Sequence, residues 1–85
     1  MDIKEIRQSI DDIDNQLRIL FEARMVIIKK IATYKKENNL PIEDKKRELE
    51  MIEHHLAELK DQELKYYYKE WLEKTIELSK KYQNE

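Results

Sequence analysis

From Ile3 to Tyr34 ten positions follow one another at alternating steps of three and four residues: Ile3, Ile6, Ile10, Ile13, Leu17, Leu20, Arg24, Ile27, Ile31 and Tyr34. No glycine or proline interrupts them. That rhythm places all ten on one face of an α-helix and on no common face of a strand. The sequence therefore predicts a single helix over about residues 2–38, on the order of 50 Å long at ~1.5 Å per residue. Nine of the ten positions are apolar or aromatic, and Arg24 is the exception. A guanidinium in a packed seam loses hydration and cannot shed its proton, so an anion must meet it, supplied by another side chain or by a ligand.

The remainder of the chain continues the helical plan. Asp2 with Glu5 has the form of a capping box at the start of the first helix. The run Asn38, Asn39, Leu40, Pro41 ends that helix, because asparagine tolerates helix-terminal geometry and a residue before proline is pushed out of the helical region. A second helix over about 43–60, capped by Glu43 or Asp44, carries Leu49, Ile52, Leu56 and Leu59 in the same rhythm. A third, over about 61–83 and capped by Asp61, carries Leu64, Tyr68, Trp71, Thr75, Leu78 and Tyr82 on one stripe with Leu72 and Ile76 beside it. The fold class is all-α, with one domain over 1–85 made of one very long helix and two shorter ones.

Two shorter helices cannot cover all the apolar surface of so long a first one. A second column, Arg7, Asp14, Phe21, Ile28 and Lys35, widens its buried stripe beyond the seam of a two-stranded coil. An intertwined helical homodimer follows, most simply with antiparallel first helices related by a two-fold axis. Within one chain Arg7 and Arg24 lie ~25 Å apart along the helix, too far to share a small ligand. If two chains cross near about residue 20, Arg7 of one lies opposite about residue 33 of the other, between Arg24 and Lys35.

Composition narrows the chemistry. The absence of cysteine excludes thiol redox chemistry and thiolate metal sites. With 17 basic and 19 acidic residues and a net charge of −2, no overall field recruits nucleic acid or an anionic membrane. No apolar run approaches transmembrane length and no signal-peptide pattern opens the chain, so the expectation is a soluble cytoplasmic protein without cofactor. His54 and His55 are adjacent, hence on different helical faces, and no further ligand completes a metal set. Trp71 with Tyr66, Tyr67 and Tyr68 reads as core and rim packing.

Polar residues in places that should be buried carry the functional signal. Arg24 and Lys35 are eleven residues apart, three helical turns, and point to nearly the same side. The first turns of the second helix offer Asp44, Arg47 and Glu48 together with backbone N–H groups that lack intrahelical partners. On the third helix the column Leu72, Ile76 continues as Ser79 and Gln83, neutral hydrogen-bonding groups on a buried face. Each has a plain alternative taken singly: a structural ion pair of Arg24 with Glu48 or Glu22, solvated charges at Lys35 and Arg47, a frayed end at Ser79 and Gln83.

Taken jointly, Arg7, Asp14, Arg24, Lys35, Pro41, Asp44, Arg47, Glu48, Ser79 and Gln83 resemble the active-site pattern of the all-helical, bacterial-type chorismate mutases. The long, short and medium helices also fit, and the likeness spans nearly the whole chain. Arg7 to Glu48 matches without a gap, and Ser79 with Gln83 after a one-residue shortening between the second and third helices. The resemblance implies rearrangement of chorismate to prephenate in phenylalanine and tyrosine biosynthesis. It also implies roles. Arg24 and, from the other subunit, Arg7 clamp the substrate carboxylates, assisted by Arg47 and Ser79. Lys35 and Gln83 donate to the ether oxygen, while Glu48 and the backbone N–H of Asp44 hold the ring hydroxyl. Lys35, Gln83 and Arg24 are then the catalytic residues. Tyr34 and Lys80 depart from the pattern, standing where small and apolar residues respectively occur. A non-catalytic helical dimerisation module, or one that binds a ligand in a regulatory role, is the alternative function.

Overall fold

Asp2 opens the first helix, α1 (Ile3–Glu37), its carboxylate accepting from the Glu5 N–H at 2.9 Å. That is half of the expected capping box. The helix stops where the sequence predicts. Asn39 takes a left-handed conformation with φ 55°, Leu40 N–H donates to Lys35 O at 2.8 Å and Asn39 N–H to Lys36 O at 3.4 Å. This is a Schellman closure in which asparagine does the work that a glycine usually does. Lys35 and Lys36 in the last turn sit favourably at the negative end of the helix dipole.

The second helix, α2 (Lys45–Glu58), is capped by Asp44, whose Oδ1 accepts from the Arg47 N–H at 3.0 Å. The first helical turn after α2 differs from expectation. Asp61 does not cap the third helix directly; it caps a 3₁₀ turn, Gln62–Leu64, by accepting from the Glu63 N–H at 3.0 Å. The Gln62 amide explains the insertion, because it donates to Leu59 O at 2.7 Å and to Leu56 O at 3.2 Å, the latter shared with the Leu59 N–H, and so ties the turn to the end of α2. The third helix, α3 (Lys65–Gln83), then starts without a side-chain cap.

The computed structural model describes all 85 residues. It is all-helical: three α-helices and one 3₁₀ turn in the order α1, α2, 3₁₀, α3, with no strand. Helix α3 packs against both α1 and α2 and is the centre of the fold. No helix is long and apolar enough to cross a membrane.

Burial within the chain is slight. Only Leu56, Leu72 and Ser79 are buried, and every residue from Met1 to Ala23 is exposed. The molecule measures 54 × 25 × 16 Å with a radius of gyration of 16.0 Å. A compact chain of this length has a radius near 12 Å. On α3 the column Leu72, Ile76, Ser79, Gln83 lies deeper than the stripe of Trp71 and Leu78, which stay exposed. Trp71 instead lines a groove with Leu17, Leu20 and Phe21 on the uncovered part of α1.

Candidate active site

The three helices enclose a cleft of about 190 Å³ between the C-terminal half of α1, the first turns of α2 and the last turns of α3. Arg24 and Lys35 reach it from α1, Asp44, Arg47 and Glu48 from the start of α2, and Ser79, Lys80 and Gln83 from α3. Every residue expected in the site lines it except Arg7 and, from the wider pattern, Asp14 and Pro41. Arg7 is exposed on the uncovered half of α1, and Asp14 lies in the Trp71 groove. Ile28, Ile31, Ile42, Met51 and Ile76 form the apolar walls. Ile31 is legible as a seam residue and Ile28 as part of the second column, whereas nothing in the spacing singles out Ile42 or Met51.

Arg24 is half-buried and has no carboxylate partner. The chain's ion pairs all involve lysines: Lys74 and Lys81 with Glu77, Lys80 with Glu43 and Glu48. A structural ion pair with Glu48 or Glu22 is therefore not what occupies this guanidinium. Its Nη1 donates to Ser79 Oγ, which in turn donates to Thr75 O at 2.8 Å. The serine hydroxyl is thus a relay between the guanidinium and the α3 backbone, and it orients the arginine without neutralising it. Burial pushes the Arg24 pKa down from its ordinary value, the mark of a desolvated cation lacking a counter-charge. Arginine still keeps its proton, so the unmet demand is for an anion.

The other groups are held differently. Lys35 Nζ donates to Ile42 O at 2.8 Å, which ties the end of α1 to the following loop and leaves two ammonium donors for a ligand. Glu48 Oε2 accepts from the Asp44 N–H at 3.2 Å, reciprocating the Asp44 cap, and Glu48 Oε1 accepts from Lys80 Nζ at 2.8 Å. Lys80 also donates to Glu43 at 3.3 Å, and the Glu48 bond foremost raises the Lys80 pKa. Gln83 makes no side-chain hydrogen bond within the chain, and its Oε1 is buried without a partner. A buried amide oxygen with nothing to bond is expected where a ligand completes the set, and rotation about the last side-chain bond presents either oxygen or nitrogen.

Charge sums up the site. Arg24, Lys35, Arg47 and Lys80 face Asp44 and Glu48, an excess of two positive charges in a cleft of a protein whose net charge is −2. The arrangement suits a small dianion with additional hydrogen-bonding groups. Compared with protein-family models, the chain matches chorismate mutase type II over residues 6–84. The chain belongs to the chorismate mutase type II family. No curated protein and no solved structure matches. Membership agrees with the all-helical plan and with the polar residues gathered in the cleft.

Proposed function

We propose that the protein is a chorismate mutase, converting chorismate to prephenate by a [3,3] rearrangement at this cleft. The observation that carries the reading is Arg24, half-buried and free of any carboxylate, in a cleft whose excess of positive charge favours a dicarboxylate substrate. Family membership supplies the reaction class. A unimolecular rearrangement needs no nucleophile and no covalent intermediate, so the protein has only to orient and polarise. Arg24 grips one carboxylate through its fork, with Ser79 and Arg47 assisting. Arg7 of a second chain grips the other in a homodimer, holding the substrate in its compact reactive conformer and removing conformational entropy before the barrier.

As the C–O bond breaks ahead of C–C formation, negative charge grows on the ether oxygen. Lys35, with two donors unused, and Gln83, with its amide unpartnered, stabilise that charge more in the transition state than in the ground state. The ring hydroxyl, both donor and acceptor, fits between the Asp44 N–H and the Glu48 carboxylate and replaces their 3.2 Å bond. The product serves phenylalanine and tyrosine biosynthesis. The deciding experiment is to add chorismate and follow its loss of absorbance with and without protein. The expected result is protein-dependent loss with prephenate as sole product; a rate equal to the uncatalysed background at saturating chorismate refutes the reading.

A further inference from the structure

Lys80 is the one cleft cation to which the family resemblance assigns no role. Its ammonium lies 2.8 Å from Glu48 Oε1 and 3.3 Å from Glu43, so a single side chain of α3 bridges α2 and the loop before it. The pair is not an ordinary surface contact, since only 30% of the Lys80 side chain and 22% of that of Glu48 remain exposed. Glu48 and Arg24 line the same cleft, yet they do not pair.

That absence needs a cause. Of the cations facing the cleft, Arg47 is exposed and solvated, and Lys35 is already bonded to Ile42 O. Arg24 is the desolvated one, held down in pKa by burial, and has the most to gain from a carboxylate. Asp44 is exposed at the start of α2, where its Oδ1 accepts from the Arg47 N–H, and it does not pair with Arg24. Glu48 is the carboxylate left, and on one side it is fixed by the Asp44 N–H, on the other by Lys80. We propose that Lys80 is a positioning residue that holds Glu48 on its own side of the cleft and so keeps Arg24 free for the carboxylate of a ligand. Without Lys80, Glu48 turns to Arg24, satisfies it internally and closes the anion site. The inference deepens the chorismate mutase reading and, for its kinetic test, rests on it.

The experiment compares wild type, Lys80→Met, Glu48→Gln and the double variant with chorismate, alongside a crystal structure of Lys80→Met. Methionine keeps the side chain as far as Cε and removes the ammonium with its charge. Because KM rises as the reciprocal of the fraction of molecules in which Arg24 stays free, it is expected to rise roughly five- to tenfold in Lys80→Met with kcat little changed. In the Glu48→Gln background the same change should raise KM far less, by no more than the loss of one cleft charge, since a neutral amide does not compete for the guanidinium. Lys80→Arg should behave as wild type. An unchanged KM in Lys80→Met, or the same rise in both backgrounds, overturns the proposal. If wild type does not turn over chorismate, the functional reading fails by itself and the crystal structure decides the inference: Glu48 on Arg24 supports it, Arg24 free of carboxylates refutes it. Loss of folding in both Lys80→Met and Lys80→Gln would make Lys80 a structural residue and refute it as well.

Discussion

At the residue scale, Arg24, Lys35 and Gln83 differ in how much the free protein already uses them, and this orders the effects of mutating them. Lys35 has one bond, to Ile42 O, and two spare donors. Lys35→Ala should lower kcat by an amount corresponding to roughly 3 kcal/mol, the size of effect seen on removing one oxyanion donor, while the melting temperature falls only slightly. A rise in KM at constant kcat would instead make Lys35 a binding residue without a part in the barrier. Gln83 has no partner at all. Its amide donates at every pH, whereas the side chain of Gln83→Glu donates only when protonated. In the free enzyme, whose titration kcat/KM reports, the glutamate reference value of ~4.3 would be pushed up by desolvation and pulled down by Lys35. Activity of Gln83→Glu therefore requires the proton and should be highest in acid. The expected observation is kcat/KM falling from about pH 5 to 8 while wild type stays comparatively flat. Parallel profiles from two folded proteins would remove Gln83 from the chemistry.

At the scale of elements, the sequence was most legible where one residue type has one physical job. Asp2 and Asp44 cap their helices, and Asn38, Asn39 and Pro41 mark the end of α1, because those signals act within a few residues of chain. The polar positions of the site were legible for a different reason: Arg24, Ser79 and Gln83 break an apolar rhythm, and the break itself is the signal. Lys80 breaks no apolar rhythm and stands out only as a departure from the family pattern, and its bridge becomes visible only when Glu43 and Glu48 are placed beside it. The 3₁₀ turn escaped because it depends on Gln62 finding two carbonyls of the preceding helix. Likewise Ile42 contributes through its carbonyl, which its side chain does not announce. The left-handed Asn39 offers a test of the α1 terminus. Asn39→Ala should destabilise the protein by about 1 kcal/mol, because alanine keeps the Cβ of asparagine without the short polar side chain that eases the left-handed conformation, and lower the melting temperature by several degrees. Asn39→Gly, free of that cost, should melt at or near the wild-type temperature. Equal melting of all three would show that the Schellman closure contributes nothing.

At the scale of the whole molecule, the chain leaves the N-terminal part of α1 uncovered. Ile3, Ile6, Ile10, Ile13, Leu17, Leu20 and Phe21 are all exposed along α1, and the radius of gyration of 16.0 Å exceeds that of a compact chain of equal length by about a third. Apolar surface on that scale is unfavourable in water, and a second copy is the simplest cover because an antiparallel pair of α1 helices buries both stripes at once. The proposed homodimer also accounts for Arg7, which lies too far from Arg24 along one helix to reach the same ligand. Sedimentation should accordingly give a dimer, and a well-folded, fully active monomer at assay concentration would refute the assembly. A sharper test uses the chemistry itself. Arg7→Ala and Arg24→Ala chains should each be inactive alone, because every site in either homodimer lacks one arginine of the clamp. Mixed under conditions of subunit exchange, they form a heterodimer with two unlike sites. One site takes Arg24 from the first chain and Arg7 from the second, both intact; the other lacks both. Activity should therefore return, to about a quarter of the wild-type value per chain when exchange is statistical, since half of the dimers carry one working site of two. Absence of recovery with exchange demonstrated independently would place each site within a single chain and leave the exposed half of α1 with no catalytic part.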